Sequence, residues 1–522
     1  MHPLMNAPSS QSPPEAPSGA PPEIHPALGG TVGRGVAFMI LNAGWSRAIS
    51  FAAQWVLGIL LTEADYGVYA VAMAFGVFVQ FIKDGGGRQL LIQRGAAEYP
   101  RLAGSVFWLA LLFNTLAAAV LAAMSPFIAS SYHDPRYVQL LLLIALSLPL
   151  STPGAVLSAK LMMDLRTGPF ATIMMGSAVV RYGGTVLLAW LGWGPLSWVL
   201  PLVALAVYEG VACLVVTRDW SWLTRPNFAL WRELVHTSKW VMMLALALAT
   251  FNQGAYLVIG KMTSQETTGI FFFAYQIVIQ VEVLVAYNLH QVLFPTLVRL
   301  NAEPERQRAA LLRSLRTLTL VAAPAGLAVA LIFEPLEQLL WHGKWAAAVI
   351  PVQVLALFMS ARVLHPIPDA ILQARGKFKR LSMMVLGMGL GAMAVAAAAA
   401  RWGGGTPVVL SLWVGVYLAC ACVAFATSAL RTVGVGPAQF LRAIMPAWLV
   451  SVFAAGVSGL IDHYLLRSMS PVPRMFALGT VYGLILFPAL RIALPRHVEE
   501  FIRILPSPVR VLGSRFLRLE AA

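Results

Sequence analysis

Long apolar segments recur along this chain, and they constrain its fold more than any other feature. Many windows of 18 or more mostly apolar residues are each long enough to cross a bilayer as a helix. Charged residues make up 11% of the chain, whereas about 25% is usual in a soluble globular domain. We therefore predict an all-α polytopic membrane protein. Its predicted spans, about 14 in number, are residues 35–61, 67–83, 102–123, 137–158, 170–191, 196–216, 239–260, 268–289, 317–340, 346–371, 381–400, 407–429, 442–461 and 475–494.

Basic residues are distributed unevenly between the two sides of these spans. If the N-terminus is cytoplasmic, 28 of the 37 Lys and Arg residues fall in cytoplasmic segments, 6 in outside loops and 3 within spans. Cytoplasmic loops of membrane proteins carry such an excess of Lys and Arg. We therefore predict that both termini are cytoplasmic. The net charge of +15 follows from this topology and does not indicate nucleic-acid binding.

A short internal repeat divides the chain into related parts. Residues 61–69 have a counterpart in residues 262–271, and each segment joins a long apolar helix to an aromatic-rich one. Parallel repeats of this kind are common in transporters, where the substrate path lies at their interface. The predicted organisation is a disordered cytoplasmic tail (1–33), an N-terminal six-helix bundle (34–216), a cytoplasmic connector (217–238), a C-terminal six-helix bundle (239–429), two additional transmembrane helices (430–494) and a basic cytoplasmic tail (495–522).

Two arginines lie deep within predicted spans. Arg47 is near the middle of the first span, and Ser50 and Gln54 share its helical face at i+3 and i+7. Arg181 in the fifth span also has polar neighbours on its own face. A charge at mid-membrane costs at least about 2.5 kcal/mol, so such residues face a protein interior. Each arginine could line a cavity and bind a pyrophosphate or acidic sugar, or it could form an internal salt bridge.

Other polar residues within the spans are candidates for binding or ion coupling. Arg362, His365 and Asp369 share one face of the predicted tenth helix and could bind substrate or relay protons, or Arg362 and Asp369 could simply pair. Glu282 is a deep carboxylate that could bind a proton or sodium ion, or pair with an arginine. The amides that could bind sugar hydroxyls, or instead join helices, are Asn252, Gln253, Gln276 and Gln280.

A charged, glycine-rich segment follows the second span. Lys83, Asp84 and Arg88 could meet a pyrophosphate at the cytoplasmic mouth, or they could only reflect the topology and the end of a helix. The sequence contains no phosphate-binding loop, no soluble catalytic domain and no metal-ligand spacing. We therefore expect no cofactor and no metal, and we expect a transporter driven by a proton or sodium gradient.

Three adjacent motifs carry a family resemblance. The hairpin at residues 61–67, the exit Asp84-Gly85-Gly86-Gly87 and the sequel Leu91-Ile92-Gln93-Arg94 resemble the polysaccharide transporter (Wzx-type) oligosaccharide flippases. Those belong to the MOP superfamily, with the MATE exporters and the lipid II flippase. The chain departs from the family pattern at Glu63-Ala64, where a proline-bearing pair is common, and at Gly86. The resemblance implies a V-shaped MOP/MATE-like fold of two six-helix bundles with two extra C-terminal helices.

The resemblance also implies a function and a location. It implies a flippase of the bacterial inner (cytoplasmic) membrane that moves an undecaprenyl-diphosphate-linked oligosaccharide from the cytoplasmic to the periplasmic leaflet, by ion-coupled alternating access. The product would be an exopolysaccharide, capsule or O-antigen. The expected partners are membrane lipids, this lipid-linked glycan, a polysaccharide polymerase and chain-length proteins, with the transporter itself a monomer.

Two other functions remain as alternatives at this point. A MATE-like exporter of drugs or organic cations should have an acidic and aromatic site, whereas the deep charges here are mainly arginines, which suit an anion. A membrane glycosyltransferase or polymerase usually needs a sizeable outside loop or a soluble domain, and all predicted outside loops are short.

Overall fold

The computed structural model describes residues 26–80, 91, 94–164, 166–300 and 303–504. Within these ranges the chain is helical and contains no strand. The helices in chain order are α1 (Pro26–Leu60), α2 (Glu63–Val79), α3 (Tyr99–Ser131), α4 (Arg136–Leu150), α5 (Thr152–Met163), α6 (Thr167–Trp190), α7 (Leu196–Thr217), α8 (Phe228–Met262), α9 (Gln265–Arg299), α10 (Pro304–Trp341), α11 (Val349–Met359), α12 (Pro366–Ala374), α13 (Phe378–Trp402), α14 (Pro407–Leu430), α15 (Pro437–Ile461), α16 (Pro471–Ala493) and α17 (Pro495–Ile504).

The helices fall where the apolar segments predict them. In the described ranges, nine helices are long and apolar enough to cross a membrane, and the number is eleven if two bent pairs each form one span. Helices α1, α2 and α9 occupy the three other predicted positions. The all-α membrane fold is thus confirmed, whereas the count of fourteen spans stays a prediction.

Two predicted spans are broken rather than continuous. Helices α4 and α5 are bent by 43° at a break that Pro149 and Pro153 flank. The segments Ala346–Met359 and Arg362–Ala374, which contain α11 and α12, are bent by 40° at the break between them, and Pro366 begins α12 four residues after Arg362. Proline lacks a backbone N–H and its ring collides with the preceding helical turn, so a helix bends or ends there. Each of these two predicted spans therefore consists of two helices with a bend between them.

The ends of two segments also differ from the prediction. Helix α1 begins at Pro26, so residues 26–33, which were assigned to the disordered tail, are helical. Helix α8 begins at Phe228, so the second part of the predicted connector belongs to a helix. We refer below to α1–α7 as the first half and to α8–α14 as the second half.

The two repeated hairpins use the same device to begin a helix. The Thr62 hydroxyl oxygen accepts a hydrogen bond from the Asp65 backbone N–H at 3.2 Å, and the Asp65 carboxylate accepts one from the Thr62 N–H at 3.0 Å. In the second hairpin, the Ser264 hydroxyl oxygen accepts from the Thr267 N–H at 3.2 Å. Side-chain caps of this kind satisfy N–H groups that have no partner within the helix. The similarity between the hairpins therefore extends to their local structure.

Helices α2 and α9 cross in very close contact near these hairpins. A Cβ atom added to Gly67 would lie 2.0 Å from the Gln265 carbonyl oxygen, and one added to Gly269 would lie 1.8 Å from the Glu63 carbonyl oxygen. The two contacts are equivalent, because in each hairpin the glycine approaches the carbonyl group that lies four residues before the glycine of the other hairpin. Only glycine permits so close an approach of two backbones. The halves therefore meet here through a contact with approximate two-fold symmetry.

An aromatic cluster lies beside this crossing and joins both halves. Tyr66 is fully buried, and its ring centroid lies 4.6 Å from that of Trp198, 4.9 Å from that of Trp345 and 5.6 Å from that of Phe273. The Phe273 and Trp345 rings stack with centroids 3.9 Å apart. Aromatic pairs of this kind contribute about 0.5–1.5 kcal/mol each beyond the area they bury. The cluster therefore stabilises the contact between the halves.

Side chains of the second half also bond the end of helix α1. The Trp345 indole N–H donates to the Gly58 carbonyl oxygen at 2.9 Å. The Lys344 ammonium donates to the carbonyl oxygens of Ile59 at 2.7 Å and Leu61 at 2.8 Å. Burial lowers the pKa of Lys344, although the carboxylates of the first hairpin oppose this effect. The end of α1 is thus held by the other half of the protein.

A third contact between the halves is polar. The Arg136 guanidinium bonds the Asp134 carboxylate at 2.8 Å and the Gln265 side-chain oxygen at 2.8 Å, and it lies 3.5 Å from Asp65. The Gln265 amide donates to Asp134 at 2.7 Å. Burial would raise the pKa of Asp134, but the hydrogen bonds from Arg136 and Gln265 hold it below its usual value.

These contacts define the state of the structure. One side-chain hydrogen bond between the halves, from the Trp231 indole N–H of α8 to the Ser105 carbonyl oxygen of α3, lies near the predicted cytoplasmic side. The other side-chain hydrogen bonds that join the halves in the described ranges lie close to the predicted outside loops. We name this set of contacts the outer closure. The structure is therefore closed on the face that carries those loops.

The last two long helices pack against α10. Helices α15 and α16 both contact α10, and the short helix α17 follows them there. At the outer end, the buried Arg474 guanidinium bonds Asp462 at 2.6 Å and Glu334 of α10 at 3.0 Å. This ion-paired group fixes the extra helices to the second half.

Candidate functional site

A first cavity lies between α1, α9 and α10 and has a volume of 570 Å³. Arg47, Ser50 and Gln54 of α1 line it together, as their spacing predicts. Gln276 and Gln280 of α9 complete its polar wall. The remaining wall is mostly apolar and comes largely from α10. A volume of this size is typical of small-molecule sites.

The charge in this cavity is accessible. The Arg47 side chain is exposed, and it forms no ion pair with any described residue. A guanidinium group presents donors in a fork that matches phosphate or carboxylate geometry. The cavity therefore suits an anionic group that is attached to an apolar chain.

A second cavity of 450 Å³ lies between α2, α8 and α9. Gln276 lines both cavities. The second cavity is the more polar of the two, because amides and phenols make up much of its wall. Its polar lining residues are Gln80, Asn252, Gln253, Tyr256, Tyr275 and Gln276.

Arg362 is almost fully buried beside the second cavity, at 2% exposure. Its Nε atom donates to the Glu282 carboxylate at 2.6 Å, and its other nitrogens donate to the Tyr275 hydroxyl and the Asn252 side-chain oxygen. The guanidinium carbon lies 4.5 Å from the centre of the Phe251 ring. All three nitrogens of the guanidinium are thus engaged within the protein, which matches the alternative that Glu282 pairs with an arginine.

Arg362, His365 and Asp369 do not lie on one continuous α-helix, although the sequence analysis predicted that they would. Arg362 begins a 3₁₀ turn, and Asp369 follows in α12. His365 is buried and stacks on Phe251 with ring centroids 5.1 Å apart. The Asp369 carboxylate accepts a hydrogen bond from the Gln373 amide at 2.8 Å. The alternative of an Arg362–Asp369 pair was wrong, since Arg362 pairs with a residue of α9 instead.

The other predicted site residues lie elsewhere. Arg181 occupies a π-helical turn of α6, where its guanidinium lies near the Tyr182 ring and the Tyr69 hydroxyl, and it lines neither cavity. Lys83, Asp84 and Arg88 lie outside the described residues. In the part of the chain that the structure describes, no three His, Cys, Asp or Glu side chains come together as metal ligands would.

The sequence analysis missed the apolar wall of α10. Phe333 and Trp341 line the first cavity, together with Leu336 and Leu340. Their pattern is the same as that of residues facing lipid, so the sequence offered no signal that would separate the two.

Residues 56–350, more than half of the chain, match a family described as "Polysaccharide biosynthesis protein". The chain belongs to this family. Among its relatives, the succinoglycan biosynthesis transport protein ExoT of Rhizobium meliloti is 26% identical over 348 residues, which are 66% of this chain and 69% of that protein. The teichuronic acid biosynthesis protein TuaB of Bacillus subtilis is 25% identical over 325 residues, which are 62% and 67% of the two chains.

Solved structures show the same architecture. The lipid II flippase MurJ in an inward closed conformation aligns with a TM-score of 0.69 at 11% identity, over 88% of this chain and 98% of that one. An inward-facing MATE multidrug transporter aligns with a TM-score of 0.58 at 14% identity, over 74% and 94%. The predicted MOP/MATE-like fold and the family resemblance are confirmed. The relative ExoT is named a transport protein, and this chain has the same fold as a solved flippase and a solved multidrug transporter. The chain is therefore a membrane transporter and not an enzyme.

Proposed function

We propose that this family member is a flippase for an undecaprenyl-diphosphate-linked oligosaccharide. It would move this lipid from the cytoplasmic to the periplasmic leaflet of the bacterial inner membrane, with both of its own termini in the cytoplasm. The product would be an exopolysaccharide, capsule or O-antigen, made with a polymerase and chain-length proteins as partners. The names of the relatives and the fold of a lipid II flippase support this proposal.

Arg47 is the observation on which the proposal chiefly rests. It places an accessible cation in a largely apolar cavity between the two halves. A lipid diphosphate combines an anion with a long apolar chain, so both parts find a suitable wall in this cavity. An organic cation would instead meet the positive charge of Arg47, and this disfavours the exporter of cationic drugs.

The outer closure supports a transport cycle with alternating access. In this state the two halves are joined near the outside loops, so a substrate in the first cavity has no path to that face through the outer closure. The release step would require these contacts to break. The energy for the cycle would come from a proton or sodium gradient, because the sequence contains no ATP site.

Glu282 is the proposed coupling residue, with His365 and Asp369 as accessory groups. The Glu282 side chain is 18% exposed, so it is only partly shielded, and Arg362 compensates its charge in this state. A coupling proton or sodium ion would bind after the pair separates, since a carboxylate that loses its cationic partner gains affinity for either ion.

The test is the substitution Arg47→Gln, with Arg442→Gln as the matched control. Arg442 is exposed on α15 and lines neither cavity, so its loss should leave transport unchanged. A hydrogen bond to a charged group contributes about 1.5–3 kcal/mol, so losing the Arg47 contact should weaken binding about 10- to 150-fold. The expected result is the loss of surface glycan at normal membrane abundance, with lipid-linked intermediates remaining on the cytoplasmic leaflet. Full glycan export by the Arg47→Gln variant would show that Arg47 is not a substrate ligand.

A further inference from the structure

We propose that the second cavity is a carbohydrate-binding chamber, separate from the first cavity, which binds the diphosphate. This inference rests on the proposed function and adds to it a division of labour between two cavities. The lipid-linked substrate would place its diphosphate near Arg47 and its sugar residues against the amides of the second cavity, with Gln276 at the boundary.

Helix α9 lies between the two cavities, and its residue Gln276 lines both. Gln276 and Gln280 lie four residues apart and face the first cavity, whereas Tyr275 and Ile279 lie four residues apart and face the second. Because successive residues of a helix are rotated by about 100°, these are two adjacent faces of one helix. A single extended ligand can therefore reach from one cavity to the other past Gln276.

The described residues that line the second cavity include six polar side chains, and none of these side chains carries a charge. This distinguishes it from the first cavity, where Arg47 supplies a cation. A neutral, hydroxyl-rich ligand matches such a lining better than a phosphate does, since side-chain amides both donate and accept hydrogen bonds. The cationic wall of the first cavity thus matches the diphosphate of a glycolipid head group, and the neutral polar side chains of the second cavity match its sugars.

Three of the amides are available for a ligand. Gln80, Gln253 and Gln276 are half-buried, and they form no hydrogen bond to any residue that the structure describes. A side-chain amide that has no partner within the protein is satisfied by water or by a ligand, so these three amides are free to exchange water for sugar hydroxyls. Asn252 differs from them, because Arg362 and the Leu248 carbonyl oxygen already occupy its amide.

Both halves contribute to this chamber. Gln80 directly follows α2 in the first half, whereas Gln253 and Gln276 lie in α8 and α9 of the second half. A bound glycan would therefore contact both halves and would sense their relative position. Selection of the glycan would occur in the same place as the movement that transports it.

The experiment compares two leucine variants that remove the same amide from different cavities. Gln253 lines only the second cavity and Gln280 lines only the first. The purified full-length variants Gln253→Leu and Gln280→Leu are tested for binding by native mass spectrometry. The two probes are undecaprenyl diphosphate and the undecaprenyl-diphosphate-linked oligosaccharide extracted from the host membranes. The variant Gln80→Leu, on the other half, repeats the test if Gln253→Leu does not fold.

The proposal predicts a selective effect. A neutral hydrogen bond contributes about 0.5–1.5 kcal/mol, so Gln253→Leu should weaken binding of the glycan-bearing lipid about 2- to 12-fold. It should leave the affinity for undecaprenyl diphosphate unchanged, whereas Gln280→Leu should weaken binding of both probes equally. An equal loss for both probes in Gln253→Leu, or no loss for either, would overturn the chamber while leaving the flippase in place. Failure of the unsubstituted protein to bind either probe would overturn the proposed function and the chamber together.

Discussion

The crossing of α2 and α9 allows a direct test of the outer closure through Gly269→Ala. A Cβ atom at this position would lie 1.8 Å from the Glu63 carbonyl oxygen, whereas ordinary contact begins at 3.4 Å. The two backbones would therefore have to separate by about 1.6 Å, which is the difference between these distances. Overpacking of this kind costs about 1–3 kcal/mol. The closed state alone bears this cost, so its population relative to the open state should fall about 5- to 150-fold.

Distances between spin labels on the outer loops measure this shift. Cysteines at the exposed positions Trp193 and Trp402 place one label on each half, in a background from which the native cysteines have been removed. Gly269→Ala should move the distance distribution towards longer values. Gly67→Ala should act in the same direction, because the contact is reciprocal.

The matched control for this test is Gly456→Ala on α15. A Cβ atom at Gly456 would have no neighbour within 4 Å, so the substitution leaves the crossing unchanged and should not alter the distances. If Gly269→Ala gives the same distribution as the unsubstituted protein, the close approach of the two helices does not decide which state is populated. A shift of equal size in Gly456→Ala would refute the reasoning as well.

Three further predictions concern ionised groups. Arg362→Met should lower the thermal unfolding midpoint, because it leaves Glu282 without its cation at a cost of about 3–5 kcal/mol, and adding Glu282→Gln should restore part of that loss. Arg474→Met should lower the same midpoint, since two carboxylates at the outer end of the extra helices lose their shared partner. Asp134 has a lowered pKa, so its contribution to the outer closure should be complete above its ordinary pKa of 3.8 and be lost as the pH falls through the lowered value. The spin-label distances should lengthen over that acidic range, and Asp134→Asn should abolish this pH dependence.

Helical periodicity predicted which polar side chains of α1 share a face. Arg47, Ser50 and Gln54 line one cavity because residues at i, i+3 and i+7 share a helical face, and nothing interrupts α1 between them. The same argument failed for Arg362 and Asp369, because residues 362–364 form a 3₁₀ turn and the α-helix begins only at Pro366. A 3₁₀ turn has 3.0 residues per turn, so residues at i and i+7 no longer share a face as they do in an α-helix.

Contacts between distant parts of the chain could not be predicted from the sequence. Arg362 pairs with Glu282, which lies 80 residues away in the sequence. The sequence offers several arginines as possible partners of that carboxylate, and nothing in it distinguishes Arg362 from the others. The reciprocal contact of Gly67 and Gly269 was similarly hidden, although the repeat placed the two glycines at equivalent positions. A repeat shows that two segments have similar structures, but it carries no information on whether they touch.

The bonds from Lys344 to helix α1 have a consequence for the folding of that helix. The last carbonyl groups of a helix have no partner within it, and they carry a partial negative charge that a cation stabilises by about 0.3–1 kcal/mol. Here the cation comes from the other half, so the final turn of α1 is completed only while the halves are together. When they separate, this turn should fray into water. Amide hydrogen exchange at residues 57–61 would then report, from within the chain itself, how often the transporter opens to the outside.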